Sequence, residues 1–393
     1  MVDINKKYFF KILSSYINEI LLENNNEVNW NSIFRIANNH SLSGIVYITL
    51  QKQSNILSIS KDILEKEKIN YFMQLQNSVN QEYEMKKLVK ELSLKGIYHV
   101  LMKGYVIKNL YPDPDLRTMG DVDFLVKDKD INKVHEILLS LGYIHMKTVR
   151  AVRNYSKVGM NLEVHTSIFY DKISEDVDYE EYFNKAWDNV ILKEGNFTYE
   201  FTLEYHFIFL IAHLAKHFYN EGCGVRMFLD IAIYLKQYKD KIDWDYFWSE
   251  IDKIKLKKFT KSVFTLCNFW FGVEFKEEVC LEESFLENIT EYIINSGTFG
   301  KSVENDMLNR YRREMENPKK NTDVSMIFPS FDALSNEFSY VKKYKFLYPI
   351  AWFNRAFRLV TTRRKTTIYK IINKSKFKEN AKNIYYMHRK MGL

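Results

Sequence analysis

A chain of 393 residues with 46% apolar and 27% charged side chains is long enough for two or three packed units, and its balance is that of an ordinary soluble globular protein. Five prolines beside 28 Phe, 27 Tyr and 6 Trp favour long helices over a loop-rich all-β architecture, and no apolar run approaches the roughly 20 residues that span a bilayer. Three cysteines, Cys223, Cys267 and Cys280, are too few and too scattered for a disulfide framework or a zinc ribbon.

The start, MVDINKKYFFKILSSYINEI, carries charges every few residues and lacks a signal-peptide apolar segment, so the cytoplasm is the expected location. Over residues 4–22 the apolar positions recur at three-four spacing and predict an amphipathic helix. Further helices are expected over Trp30–Asn39 and Ser43–Gln53. Ser58 or Ser60 offers an N-cap for a long helix reaching Leu94, with Gly96 closing it. The pattern changes at Ile97, where a short apolar strand leads into Lys103-Gly104 and a helical stretch over Tyr105–Leu110. A Pro-Asp-Pro-Asp turn then precedes an apolar strand containing Asp121 and Asp123. A helix over 130–141 ends at Gly142, and strands are expected over Tyr143–Tyr155, as a hairpin, and over Asn161–Ile168. Beyond Leu203 the chain reads as helical again, over Leu203–Tyr219, Val225–Tyr238 and Trp244–Ile254, with more through 258–316. Two last helices are expected around Pro349–Val360 and Thr366–Met391.

Charge is distributed unevenly. Residues 342–390 hold 15 Lys and Arg against the single acid Glu379, while the rest of the chain carries 42 basic and 49 acidic residues. With Trp352, Phe353, Phe357, Tyr369, Tyr385 and Tyr386 among its cations, this tail has three readings. It can bind nucleic acid by phosphate neutralisation and stacking, lie on an acidic membrane surface, or pack its aromatics inward.

Chemistry concentrates in LMKGYVIKNLYPDPDLRTMGDVDFLV. A strand turns Asp121 and Asp123 to one face, and two carboxylates flanked by Val122, Phe124, Leu125 and Val126 repel each other unless a divalent cation sits between them. Glu163, between Leu162 and Val164, has the same context. If its strand lies beside that of Asp123, three carboxylates converge, enough to hold one or two Mg²⁺ for phosphoryl chemistry. His165 faces the same side, where structural hydrogen bonding is its expected task. Arg117 is open to two readings, a phosphate ligand or an ion-pair partner of Asp113 or Asp115. His206, His213 and His217 share a helical face, but only the last two are near enough to share a metal. The segment HLAKH lacks the glutamate of HExxH and with it the base of a metalloprotease.

Taken in order, Lys103-Gly104, Tyr111-Pro112-Asp113-Pro114, Arg117, Gly120-Asp121-x-Asp123 and Glu163-x-His165 resemble the nucleotidyltransferase superfamily of the DNA polymerase β type, and more narrowly a poorly characterised bacterial branch of it. The resemblance covers 97–170 well and reaches more loosely to His213–Asp230. It implies an α+β fold in which a small mixed-sheet core is embedded between helical regions. The expected division is an N-terminal helical region (1–84), the nucleotidyltransferase core (85–200), a helical cleft domain (201–316), a connector (317–341) and the basic tail (342–393).

The resemblance further implies that Asp121 and Asp123 bind Mg²⁺, with Mn²⁺ as the alternative, carrying an NTP such as ATP. Glu163 serves as the third catalytic carboxylate, an acceptor hydroxyl attacks the α-phosphate, and pyrophosphate leaves. Better-known members carry Gly-Ser or Gly-Gly where this chain has Lys103-Gly104. Gly104 still permits close backbone approach, and Lys103 would meet phosphate as a point charge. His165, His213, His217, Arg226 and Asp230 are expected in a polar network or along the acceptor side. The acceptor, whether small molecule, RNA or protein, is not legible, nor is the oligomeric state. The competing reading is a catalytically inactive nucleotide- or nucleic-acid-binding module that uses the basic tail.

Overall fold

The computed structural model describes residues 3–174, 176–195, 197–220, 222–276, 279–297, 303–316, 329–361, 368–369 and 372–393. Three helices, α1 (Ile4–Asn18), α2 (Trp30–Asn39) and α3 (Ser43–Lys52), come first. Side chains of Asp3 and Asn29 accept from Asn5 N and Ser32 N, which satisfies first-turn amides of α1 and α2. α1 stops short of its expected end because Glu19 turns to φ 58°, and Ile20 and Leu21 are left exposed. The long helix α4 (Lys61–Leu94) begins at Ser60, whose hydroxyl accepts from Ile63 N, and is closed past Lys95 by Gly96 at φ 64°.

Seven strands among the described residues form one mixed sheet. They are β1 (His99–Leu101), β2 (Val122–Val126), β3 (Ile144–Val149), β4 (Val152–Lys157), β5 (Met160–His165), β6 (Val190–Glu194) and β7 (Thr198–Phe201), in spatial order β3-β4-β5-β2-β1-β7-β6. β2 runs antiparallel to β1 and parallel to β5, with Asp123 opposite Glu163. The chain is thus α+β, as expected, but β6 and β7 extend the sheet beyond the reading from sequence. β7 joins parallel to β1, with His99 opposite Thr198. Edge strand β6 carries the exposed Ile191 and Leu192, so no alternation announces it.

The strand period sorts side chains onto two faces. Val122, Phe124, Val126, Leu162 and Val164 point one way, into a core shared with Met85, Leu88 and Leu92 of α4 and Val134, Ile137 and Leu138 of α6 (Ile131–Ser140). Asp123, Glu163 and His165 point the other way. After a short α7 (Tyr179–Phe183), the chain continues as α8 (Leu203–Asn220), α9 (Val225–Tyr238), α10 (Trp244–Lys253), α11 (Lys257–Phe271) and α12 (Glu283–Ser296). Aromatic rings bind this layer together: Phe207 stacks on Tyr234, Phe247 and Phe264 at centroid distances of 4.8, 5.1 and 5.8 Å.

All of this lies in one compact unit, within Met1–Phe299 and Met391–Leu393; a second lies within Gly300–Lys390. In the second, α13 (Val303–Glu316) and α17 (Lys374–Met391) share a cluster of Met307, Tyr311, Phe377 and Ala381. Of the connector expected at 317–341, residues 317–328 lie outside the described residues. The remainder contains α14 (Phe331–Glu337) and α15 (Ser339–Lys343), because Leu334, Phe338 and Val341 recur at helical spacing and bury against Ala351 of α16 (Tyr348–Val360). The expected helix Thr366–Met391 is described as helix only from Lys374 onward apart from isolated residues; 366–367 and 370–371 lie outside the described residues.

Candidate functional site

The site grows from the register of two strands. Because Asp123 pairs with Glu163 across parallel β2 and β5, their carboxylates leave the sheet side by side. His165, two residues along β5, joins them. Its Nε2 lies 2.8 Å from Asp123 Oδ1 and 3.5 Å from Glu163 Oε2. Donor atoms of Asp123, Glu163 and His165 all lie within 4.8 Å of one another. Asp121 sits at the mouth of the strand, exposed and one residue before β2 begins. The convergence expected of three carboxylates is therefore two carboxylates and an imidazole, with the third carboxylate at the rim.

Lys103 closes the group from the turn after β1. Its Nζ donates to Asp123 Oδ1 at 2.6 Å, the same oxygen that His165 contacts. The turn from β1 into α5 (Gly104–Ile107) puts it there by giving Lys103 φ 51° and ψ −131°. That conformation suits glycine and costs another residue on the order of 1–3 kcal/mol. Gly104 is needed for a different reason. A Cβ there would lie 2.0 Å from Nη1 of Arg117, so the guanidinium rests directly on the glycine.

Electrostatics follow the crowding. Asp123 is 7% exposed; burial pushes its carboxyl up, but the Lys103 ammonium and the His165 hydrogen bond outweigh burial and hold it well below the usual carboxylate range. Burial would lower Lys103, yet Asp123 keeps it raised. The rim carboxyl of Asp121 behaves oppositely. Enclosure on its protein side first, then Asp123 and Glu163, raise it to about 6 against the pull of Lys103.

Arg117 does not reach this group. Its fork is filled by Asp230 of α9, through Nε to Oδ1 at 3.2 Å and Nη2 to Oδ2 at 2.8 Å, and Tyr111 donates to Oδ1 at 2.7 Å. Neither Asp113 nor Asp115 is its partner: Asp113 lies 3.7 Å from Lys52, and Asp115 accepts from Ser78. Buried and bidentately paired, the guanidinium spends its donors on holding α9 to the loop before β2. Arg226 lies beside this pair and donates to Thr118 O and Oγ1 at 2.9 and 3.0 Å. Burial, and then the neighbouring Arg117, lower it to about 10.

α8 supplies the wall opposite the acids. The Lys103 ammonium sits 5.9 Å from the Phe209 ring centroid, and His213 and His217 meet edge to face at 4.5 Å. Burial, then Lys103 and His217, push His213 well below the ordinary imidazole value. His206 is farther up the helix, packed edge-on against Tyr234. Reading the sequence missed Lys216 on this wall. It pairs with Asp171 at 3.3 Å, and burial together with Lys103 lowers its ammonium. The signal was its place three residues after His213, which puts both on one face. Also missed was the loop after β5, where Arg150 donates to Tyr170 O and lies 5.2 Å from that ring. Beside Asp121 and Glu163 opens a pocket of about 210 Å³ lined also by Lys147, Asn154, Asn161 and Met146.

Two clustered carboxylates with an imidazole form a donor set that fits a divalent cation, and Asp121 adds a third carboxylate at the rim. A family model described as an uncharacterised nucleotidyltransferase matches residues 26–272, a span that contains every residue of this site. No curated protein matches the chain, and no solved structure does.

Proposed function

The chain belongs to this uncharacterised nucleotidyltransferase family, and on that premise we propose that it transfers NMP from an NTP to an acceptor hydroxyl in a Mg²⁺-dependent reaction that releases pyrophosphate. The observation that carries the proposal is the pairing of Asp123 with Glu163 in register, with Asp121 at the rim and Lys103 facing them. Asp123, Glu163 and His165 would hold the cation, and Asp121 would meet it from the mouth. When bound, the cation supplies charge neutralisation at the phosphates and in-line activation. Lys103 and Lys216 give the adjacent wall positive charge for the triphosphate. The acceptor oxygen forms a bond to the α-phosphorus as the bond from that phosphorus to the bridging oxygen breaks, and pyrophosphate departs. The acceptor's proton passes to a carboxylate of the group. The pocket lined by Lys147, Asn154 and Asn161 is where the acceptor or the nucleoside would be held.

The test is pyrophosphate release from labelled NTPs with Mg²⁺ and cell extract. Asp121→Asn with Asp123→Asn should lower it by roughly three orders of magnitude while the fold is kept; undiminished release from a folded double variant would refute the assignment. A second reading, a nucleotide-binding module without turnover, is favoured by the ammonium already seated on Asp123 Oδ1. It predicts NTP binding by calorimetry that is indifferent to Mg²⁺ and yields no pyrophosphate.

A further inference from the structure

α16 has two apolar sides, and among the described residues one of them is packed. Tyr348, Ala351 and Trp352 face Leu334, Phe338 and Val341. On the opposite side Ile350, Phe353 and Phe357 are 53, 66 and 69% exposed, and Phe346, in the turn leading into the helix, is 76% exposed. The spacing of four, three and four residues makes these one continuous stripe along the helix. Single exposed apolar residues are ordinary on a protein surface, but an aligned row of three phenylalanines and an isoleucine is not.

Along the chain, the charge flanking the stripe has one sign. No acidic residue occurs between Glu337 and Glu379, while Lys342, Lys343 and Lys345 lead directly into the helix. These three lysines, with Tyr344 between them and Phe346 after them, are all exposed. The helix's own cations are occupied elsewhere: Arg355 pairs with Glu337, and Arg358 lies 4.9 Å from the Phe338 ring. An apolar stripe free of charge, with Lys342, Lys343 and Lys345 before the helix and Arg363, Arg364 and Lys365 after it in the sequence, matches the layered chemistry of an anionic lipid surface, with hydrocarbon below and phosphate above. Nucleic acid would ask for cations on the same face as the aromatics, to reach the backbone between stacked bases. No helix among the described residues is long and apolar enough to cross a membrane, so α16, about 20 Å long for its 13 residues, would lie in the interface plane.

We propose that α16 and the Lys342–Phe346 segment before it form a peripheral docking surface for anionic membranes, with Phe346, Ile350, Phe353 and Phe357 inserted among the acyl chains and Lys342, Lys343 and Lys345 at the lipid phosphates. The proposal rests on the second unit alone and does not depend on nucleotidyl transfer.

The test is sedimentation of the full chain with vesicles of mixed phosphatidylcholine and phosphatidylglycerol. Pure phosphatidylcholine vesicles and a single-stranded RNA serve as alternative binders, each measured at low and high salt. The full chain should partition onto the anionic vesicles and far less onto the neutral ones. Phe353→Ser with Phe357→Ser should lower partitioning at least about tenfold at either salt. Lys342→Gln with Lys343→Gln and Lys345→Gln should lower it on the order of ten- to a hundredfold at low salt and little at high salt. Circular dichroism verifies that these exposed substitutions leave the helices in place. The proposal is overturned if the chain ignores anionic vesicles, if it binds neutral ones equally, or if the paired Phe substitutions leave binding unchanged. RNA binding that the same substitutions abolish, without vesicle binding, would make the stripe a nucleic-acid face instead.

Discussion

Two ionic groups lie near each other in the first unit, and they are built on opposite plans. Around Asp230 the carboxylate oxygens are both taken up: a bidentate guanidinium and a tyrosine hydroxyl share them, while Arg226, lowered by burial and by Arg117, is anchored on Thr118. Around Asp123 they are not, since Asp121, Asp123 and Glu163 face Lys103 as their close cation, and one carboxyl is driven up to about 6. A closed network holds elements in place, whereas a group with charge left over is poised for a ligand of opposite charge. The difference supports the proposal in which the Arg117–Asp230 pair braces the site and the Asp123 group is the site itself.

Removing an acid from each group is the strongest way to break that comparison. Asp230→Ala leaves the buried Arg117 uncompensated and should cost about 3–5 kcal/mol in urea unfolding. Asp121→Asn, by contrast, should leave stability equal or higher, because it relieves repulsion among carboxylates. A loss from Asp121→Asn as large as that from Asp230→Ala would erase the distinction.

Gly104 joins the two groups, since Arg117 rests on it. Gly104→Ala should cost about 1–3 kcal/mol through displacement of a guanidinium that Asp230 holds fast. An unfolding midpoint unchanged from the parent would mean that the guanidinium yields freely.

Lys103→Gly sharpens the comparison from the open side. It relieves the φ 51° strain and removes the cation competing for Asp123, so Mg²⁺ affinity by calorimetry should rise roughly tenfold while triphosphate affinity falls. Weaker Mg²⁺ binding would show that Lys103 supports the cation rather than competes with it.

A pH-dependent effect lies at the margin of the closed group. His40 accepts from Val225 N at Nδ1 and contacts Ile294 O at Nε2, 3.1 Å away, and burial foremost lowers it to about 4. Between that value and 6.5 the unfolded chain binds the extra proton, so this contribution to stability is whole above pH 6.5 and lost as pH falls toward 4. The slope is at most about 1.4 kcal/mol per pH unit. NMR titration of the His40 ring should show a midpoint near 4; one near 6.5 would contradict its buried neutral state.

Much of the architecture was legible because it is encoded locally. Ser60 and Gly96 bracket α4, α2 and α9 begin and end where apolar periodicity says, and the Asp-x-Asp and Glu163 strands announce themselves by charges set in apolar runs. Caps and periods act over a few residues, so a linear reading captures them. The rest depends on partners far away in the chain. Arg117 finds Asp230 across 113 positions, and β7 enters the sheet beside β1 from 99 positions away, at His99 and Thr198. Asp121 falls outside its strand because β2 begins one residue later. By itself the sequence determined most helices of the first unit, the strands around Asp123 and Glu163 and the family they resemble. Tertiary structure alone decided which cation meets which carboxylate, and that one side of α16 packs while the other faces outward. Burial and long-range pairing are properties of the packed whole, and no window of neighbouring residues contains them.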